Sequence, residues 1–248
     1  MKITIRRRHI GEIPLLEVVS SDDKNSPLPL IVYYHGWQSS KELNLTQGRK
    51  LAQAGFRVLL PDAMNHGARK QNVSAIPSLT FWQSIQSNLF EFGAIISHFR
   101  KLNVILDDKI GVGGTSMGGL TSSALLTHHP EIKVASCMMG SPTPIQYRDR
   151  LIQHSKTMTT RFVPEDVVDL TAWVDRYDLS THMDTLNGRP FFIWHGERDW
   201  RVPYEQTLQF VEAHKDMDNI HFVHEDEDHL VKTETMDMMT AFFVKYLL

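Results

Sequence analysis

The chain has 248 residues, of which 42% are hydrophobic and 22% are charged, and this is enough apolar material for one sizeable core. Its 26 Lys and Arg residues against 29 Asp and Glu residues give a net charge of -3, which argues against nucleic-acid and anionic-membrane partners. Cys137 is the only cysteine, so an intrachain disulfide and a thiolate metal cluster are excluded.

Two N-terminal runs, residues 2–10 and 14–21, are separated only by Gly11 to Ile13 and predict an antiparallel hairpin. Six further apolar runs of five to seven residues follow along the chain. Nearly continuous hydrophobicity over such a length is typical of strands that helices cover on both faces. These predicted central strands lie within residues 28–36, 56–62, 109–114, 133–140, 190–196 and 219–225.

Amphipathic segments separate the central strands and predict helices. In the fourth of them, Pro203 occupies a first-turn position, and the spacing of Leu208, Val211 and Glu212 predicts one buried face. Alternation of strand and helix predicts a mostly parallel sheet with helices on both faces, in a single α/β domain that spans residues 1–248. The predicted helices lie at about residues 43–54, 80–102, 117–128, 203–215 and 230–247.

Two connections, residues 63–79 and 141–189, are much longer than the usual four to six residues. The longer one carries a helix-start signal at residues 164–166. We expect it to form a helical cap over the sheet, with Trp173 as a candidate substrate contact. The predicted buried face of its helix carries Val167, Leu170, Val174 and Tyr177.

No apolar stretch approaches the roughly 18–20 residues that span a bilayer, and the basic N-terminal residues do not precede the apolar segment of a secretory signal. We therefore expect a cytoplasmic protein without a membrane partner.

The stretch "GGTSMGG", residues 113–119, follows a predicted strand and precedes a predicted helix. Residues 114–118 match G-x-S-x-G, a sharp turn that exposes a nucleophilic serine, here Ser116, above the sheet. A glycine-rich phosphate loop is the competing interpretation. It is disfavoured because the lysine of G-x-x-x-x-G-K-[ST] and the spacing of G-x-G-x-x-G are both missing.

A serine hydroxyl needs a base to activate it and an acid to orient that base. In enzymes whose nucleophile lies in a G-x-S-x-G turn, the three residues follow in the chain order serine, acid, histidine. Asp199 in "HGERDWRVP" and His229 in "HEDEDHL" stand in that order, each after a predicted strand. Glu197 is an alternative acid and His224 an alternative base.

The run of acids and histidines at residues 224–229 also suggests a metal site, but four consecutive acids on a loop are usually solvated. We expect no metal and no cofactor.

Acyl transfer also requires donors for the developing oxyanion. The backbone N–H of Met117 is one candidate because it lies at the unsatisfied start of a helix. The backbone N–H of Trp37 is the other, since "YYHGW" turns directly after the first central strand.

Five motifs, "YYHGW", "PDAMNHG", "GGTSMGG", "HGERDWRVP" and "DEDHL", occur in order between residues 33 and 230. With them the chain resembles the α/β-hydrolase superfamily, and within it the small bacterial carboxylesterases related to dienelactone hydrolases and prolyl-oligopeptidase-type domains. The resemblance implies an eight-stranded sheet, a triad of Ser116, Asp199 and His229, and an oxyanion hole at Trp37 and Met117. It implies a structural role for Asp62 and His66.

The sequence departs from relatives in this group at two points. It has no H-G-G-G run at His35, and its nucleophile is serine where dienelactone hydrolases carry cysteine. We predict a serine hydrolase that acts on small-molecule carboxylic esters. The alternatives are a peptidase or amidase of the prolyl-oligopeptidase type and a non-catalytic ligand-binding scaffold.

Overall fold

The structure is a computed structural model that describes residues 1–158 and 162–248. Its centre is an eight-stranded sheet. The strands are β1 (Ile3–Ile10), β2 (Ile13–Ser20), β3 (Leu28–Tyr34), β4 (Arg57–Pro61), β5 (Ile105–Thr115), β6 (Ile132–Met138), β7 (Phe191–Gly196) and β8 (Ile220–Glu225).

The strands lie in the order β1-β2-β4-β3-β5-β6-β7-β8. β1 and β2 form the predicted antiparallel hairpin, β2 pairs antiparallel with β4, and every later pairing is parallel. The predicted α/β fold with a mostly parallel eight-stranded sheet is therefore confirmed. Because parallel strands point the same way, the ends of β5, β7 and β8 meet at one edge of the sheet.

Helices cover both faces of the sheet. The five predicted helices are present as α1, α2, α3, α6 and α7, and two further helices, α4 and α5, lie in the long connection after β6. In the part of the chain that the structure describes, no helix has the length and apolarity that crossing a membrane requires. The helices are α1 (Leu45–Gln53), α2 (Leu79–Lys101), α3 (Met117–Leu125), α4 (Pro144–Thr157), α5 (Val167–Leu170), α6 (Tyr204–Ala213) and α7 (Thr233–Leu247).

The predicted buried face of α6 is only partly correct, because Val211 packs against the core but is not itself fully buried. Thr207 and Phe210 are the buried residues of this helix, and Glu212 is exposed. Pro203 stands just before the first helical residue instead of inside the first turn. The side of α6 that faces the core is therefore centred on Thr207 and Phe210 and does not include Glu212.

The connection between β6 and β7 is helical as predicted, but its elements differ from the prediction. The single predicted helix face is wrong: α5 ends at Leu170, which is 53% exposed, while Val174 lies fully buried in a separate 3₁₀ helix, Ala172–Tyr177. The Thr171 hydroxyl donates to the Val167 carbonyl at 2.8 Å where α5 ends. Two short 3₁₀ helices, Leu179–Thr181 and Met183–Leu186, complete the segment.

Alternation along the strands divides the core into two layers. In β3, Leu30 and Val32 face the layer under α2 and α3, and Ile31 and Tyr33 face the layer under α1 and α7. All four side chains are fully buried. The middle of the sheet is thus buried on both faces, as the continuous apolar runs predict.

A buried ion pair joins β2 to β4. Arg57 donates to Glu17, and both side chains are almost completely shielded from solvent. Arg57 also donates to the Ser26 carbonyl at 2.9 Å, and Arg8 donates to the other carboxylate oxygen of Glu17 at 2.6 Å. The pair ties the antiparallel hairpin to the rest of the sheet.

Replacing Arg57 with methionine is expected to lower the free energy of unfolding by about 3 kcal/mol, because it removes the donor to one oxygen of the buried Glu17 carboxylate. Urea denaturation measures this change. The double variant Glu17→Leu with Arg57→Met is the control and should recover most of the loss. An Arg57→Met protein as stable as the wild type would contradict the expectation.

Candidate active site

Ser116 lies at the turn between β5 and α3. Its backbone has φ 56° and ψ -116°, a region that non-glycine residues rarely adopt and that costs about 1–3 kcal/mol. The Ser116 N–H donates to the Met138 carbonyl at the end of β6, at 2.8 Å. The strain and this anchor together hold the hydroxyl above the end of the sheet.

The glycines around Ser116 allow the chain to turn this sharply. A Cβ at position 114 would lie 2.2 Å from the Gly118 carbonyl oxygen, and a Cβ at position 118 would lie 2.1 Å from that of Tyr34. Both distances are far below contact distance, so only glycine fits at either position. This accounts for the two glycines of the G-x-S-x-G motif.

The structure brings Ser116, His229 and Asp199 into one hydrogen-bonded chain. His229 Nε2 lies 2.9 Å from Ser116 Oγ, and His229 Nδ1 lies 2.5 Å from Asp199 Oδ2. The Asp199 side chain is fully buried and that of His229 is 11% exposed. The imidazole can therefore accept the serine proton on one side while the carboxylate orients it from the other.

Two loops bring the acid and the histidine together. The loop after β7 and the loop after β8 are joined by backbone hydrogen bonds of 2.9 Å, from the Glu197 N–H to the Glu225 carbonyl and from the Arg198 N–H to the Glu227 carbonyl. A Cβ on Gly196 would lie 2.4 Å from the Glu227 carbonyl oxygen. Gly196 thus permits the close approach of the two loops.

Asp199 is held as a carboxylate. Burial alone would raise its pKa, but hydrogen bonds from His195 and His229 outweigh burial and lower the pKa to about 2. The backbone N–H groups of Arg201 and Val202 also donate to Asp199 Oδ1, at 2.9 and 3.1 Å. The group is therefore charged throughout the neutral range.

The alternative acid and base pair with each other. Glu197 Oε1 lies 2.7 Å from His224 Nδ1, and both side chains are more than 40% exposed. Neither has a hydrogen bond to Ser116. The geometry therefore favours Asp199 and His229 over these two residues.

The acidic run at residues 225–228 has its own partners. Arg198 pairs with Asp226 and Asp228, and Lys232 pairs with Glu227. Glu225 accepts from the Trp194 indole at 2.7 Å. Across residues 1–158 and 162–248, no group of three or more His, Cys, Asp or Glu side chains is arranged to hold a metal ion.

The two predicted oxyanion donors flank Ser116. Met117 begins α3, and a Cβ on Gly36, the neighbour of Trp37, would lie 3.5 Å from Ser116 Cβ. Neither the Trp37 N–H nor the Met117 N–H donates a hydrogen bond to any described residue. Both N–H groups are thus available to a ligand beside the hydroxyl.

His35 fixes the loop that carries Trp37, a role that sequence reasoning missed. It is 1% exposed. Its Nε2 accepts from the Ala63 N–H at 3.1 Å and its Nδ1 donates to the Gly36 carbonyl at 2.8 Å, which defines a neutral imidazole. The His66 ring packs edge-on against Trp37 with 4.8 Å between ring centroids.

Burial lowers the pKa of His35 to about 4. A histidine pKa below its unfolded value near 6.5 contributes stability above pH 6.5, and this contribution is lost as pH falls toward 4. We expect the free energy of unfolding to fall by about 3 kcal/mol across this window because of His35. Urea denaturation at pH 7 and pH 4 tests this. The His35→Gln variant, which cannot titrate, should show a correspondingly smaller fall, and equal falls would contradict the assignment.

A cavity of about 1020 Å³ opens in front of Ser116 and His229. One wall is the end of the long connection after β4, residues 73–78. A second wall is α4, which contributes Tyr147, Leu151 and His154. Both long connections predicted from the sequence therefore reach the site.

Trp173 does not line this cavity, so the prediction that it contacts substrate is wrong. Its ring packs against Trp82 and Tyr177, with 6.2 and 6.0 Å between ring centroids. It belongs to the core beneath the inserted segment. Amphipathic segments bury their aromatic residues for packing in this way.

Tyr147 occupies the place that was predicted for Trp173. It lines the cavity and is 7% exposed. Burial, with a contribution from the charge of Asp199, raises the pKa of its phenol to about 12, so the group stays protonated. No sequence signal marked Tyr147, because α4 itself was not predicted.

Comparisons with known proteins identify the family of the chain. Residues 83–248 match the prolyl oligopeptidase family. The chain is 33% identical to YitV of Bacillus subtilis (strain 168), over 99% of this chain and 100% of the relative. It is 31% identical to the esterase YjfP of Escherichia coli (strain K12), over 85% of this chain and 84% of the relative.

The solved structure of TT1662 from Thermus thermophilus superimposes with a TM-score of 0.80 at 20% identity, covering 100% of this chain and 99% of that one. This likeness concerns the fold. The family match covers two thirds of the chain and contains all three hydrogen-bonded side chains. The chain therefore belongs to the prolyl oligopeptidase family, within the α/β-hydrolase superfamily.

Proposed function

We propose that the protein is a serine hydrolase that cleaves small carboxylic esters through an acyl-enzyme intermediate. The observation that carries this proposal is the hydrogen-bonded chain of Ser116, His229 and Asp199 at the wall of an open cavity. Membership of a hydrolase family and similarity to the esterase YjfP support it.

In the proposed reaction, Ser116 Oγ attacks the ester carbonyl carbon while His229 Nε2 takes the hydroxyl proton. The oxyanion that forms is bound by the backbone N–H groups of Met117 and Trp37, each worth about 3 kcal/mol in such sites. The intermediate collapses, and His229 gives its proton to the departing alkoxide. Water then repeats the attack on the acyl-enzyme and releases the acid.

Asp199 keeps the proton of the neutral imidazole on Nδ1, so that Nε2 faces Ser116 as an acceptor. It also stabilises the imidazolium that forms during attack. The carboxylate suits this role because it remains charged at neutral pH.

The two alternatives differ from this proposal in measurable ways. A peptidase of the prolyl-oligopeptidase type would use the same three side chains on an amide, and the family name keeps this open. A non-catalytic scaffold would typically lack a member of the triad. All three members are present in hydrogen-bonded positions, which favours an active enzyme.

Ester and amide substrates with the same acyl group separate these functions. We expect a higher kcat/KM for p-nitrophenyl butyrate than for butyryl-p-nitroanilide and for aminoacyl-p-nitroanilides. We also expect a fluorophosphonate probe to label the protein at Ser116. Faster cleavage of the anilides would indicate a peptidase or amidase, and an unlabelled, inactive protein would indicate a binding scaffold.

A further inference from the structure

Two side-chain amides lie in the cavity wall beside the predicted oxyanion loop. Asn44 is the last residue of a 3₁₀ helix, Lys41–Asn44, and Gln47 lies one turn further on in α1. Both residues line the cavity, and they are only 5% and 6% exposed. The three-residue spacing places them on the same helix face.

These amides lack hydrogen-bond partners. Asn44 Nδ2 and Gln47 Oε1 are shielded from solvent and are unpaired within the described chain. A buried polar group without a partner destabilises the folded protein, so each such group in a native structure needs an explanation.

Packing does not explain the amides. Leu51, one turn beyond Gln47 on the same face, is fully buried in the apolar core. Positions of this kind usually carry apolar side chains, as Leu51 shows. Polar groups at positions 44 and 47 therefore cost stability that a leucine or methionine would not.

The segment that carries the amides is held rigidly. The Lys41 N–H donates to Asp62 Oδ1 at 2.9 Å, and the Lys41 ammonium pairs with the other oxygen of this fully buried carboxylate. Asp62 also accepts from the Ala68 N–H at 2.8 Å. The backbone that carries the amides is thus a fixed part of the cavity wall, so only rotation of the two side chains is needed to bring their shielded atoms to a ligand.

We propose that Asn44 and Gln47 form a subsite that binds a hydroxyl group of the substrate, so that the preferred esters are those of polyols. This inference rests on the proposed ester hydrolysis. A hydroxyl group both donates and accepts, and the amide pair offers both functions whichever way each amide is rotated. Trp37, Phe81 and Tyr147 in the same cavity provide apolar surface for the carbon skeleton.

The test compares glycerol monoacetate with propyl acetate, which have the same acyl group and the same number of alcohol carbons. The wild type should show the higher kcat/KM for glycerol monoacetate. In the Gln47→Met variant the ratio of the two kcat/KM values should fall about 10-fold, because a hydrogen bond to the substrate is lost. The control is Gln53→Met, an exposed glutamine of the same helix, which should leave the ratio unchanged.

Thermal unfolding provides a second measurement. Gln47→Met should raise Tm by about 2–4 °C, because it removes an unpaired buried amide without changing the side-chain volume greatly. A purely structural role for Gln47 predicts the opposite result, namely a lower Tm and an equal loss of activity on both esters, and that outcome would overturn the inference.

The outcomes distinguish this inference from the proposed function. A wild type that hydrolyses both esters equally well, or a Gln47→Met variant with an unchanged ratio, would overturn the hydroxyl subsite and leave ester hydrolysis intact. A wild type that hydrolyses neither ester, nor p-nitrophenyl butyrate, would overturn the proposed function and the subsite together.

Discussion

Replacing Ser116 with alanine is expected to reduce kcat for p-nitrophenyl butyrate by roughly 10⁶-fold, as loss of the nucleophile does in other serine hydrolases of this kind. Ser116 Oγ is the hydroxyl that His229 Nε2 reaches at 2.9 Å. Alanine at this position keeps the strained turn but provides no group that can be acylated. The measurement is steady-state hydrolysis, together with mass spectrometry after treatment with a fluorophosphonate.

The control for this variant is Ser87→Ala. Ser87 lies on the exposed side of α2, where its hydroxyl donates to the Gln83 carbonyl at 2.9 Å. The Ser87→Ala protein should hydrolyse the ester and react with the fluorophosphonate like the wild type. Undiminished turnover or labelling of the Ser116→Ala protein would show that another residue is the nucleophile.

The Asp199→Asn variant should lose about 10⁴-fold in kcat. Asp199 Oδ2 accepts the Nδ1 proton of His229, whereas an asparagine amide facing the ring would donate. The proton of the neutral imidazole would then move to Nε2, and the ring could no longer accept the proton of Ser116. The geometry would remain, but the tautomer would be wrong.

Glu197→Gln is the matched control for Asp199→Asn. Glu197 lies in the same loop, and its carboxylate pairs with His224 at the surface. Its variant should keep kcat within about 3-fold of the wild type, since exposed pairs contribute little. If Glu197→Gln lost more activity than Asp199→Asn, the acid of the triad would have to be reassigned.

The pH dependence follows from the same carboxylate. With a pKa lowered to about 2, Asp199 stays ionised at every pH above roughly 4. Its titration therefore does not limit the rate between pH 5 and pH 8, and a change of rate in that range must come from another group. Its contribution to stability is present above the unfolded carboxyl pKa near 3.9 and is lost as pH falls from there toward 2.

The parts of the fold that depend on local pattern were predictable. Most of the central strands are short apolar runs buried on both faces, and alternation with helices leaves few possible topologies. The nucleophile turn was predictable for the same reason, because Gly114 and Gly118 are required by contacts within a few residues and with the adjacent strand. Asp199 and His229 followed from their positions at strand ends.

The walls of the cavity were not predictable. Tyr147 belongs to α4, whose buried side mixes apolar residues with Arg148 and Ser155 and so lacks a clear apolar stripe. Trp173 was chosen as an aromatic residue in the inserted segment, but its neighbours in the fold place it in the core. Which side of such a segment faces the site depends on tertiary packing, which one sequence does not reveal.

The hydrogen-bond partners of buried polar groups also could not be predicted from the sequence pattern. The sequence marks His35 only as part of a turn, while its contact with the Ala63 N–H joins loops that lie 28 residues apart. Helical structure at Asn44 and Gln47 was predicted, although it is divided between a 3₁₀ helix and α1. Nothing in the sequence says that the two amides would lack partners. Such facts depend on which groups meet after folding.

The three proposed reacting side chains are carried by the ends of β5, β7 and β8, whereas two of the cavity walls belong to the chain segments after β4 and after β6. The three side chains and these two walls are thus attached to different strands. Insertions or exchanges in the two wall segments can accumulate during evolution without displacing the machinery. Grafting these segments between homologues is accordingly a direct route to enzymes with altered selectivity.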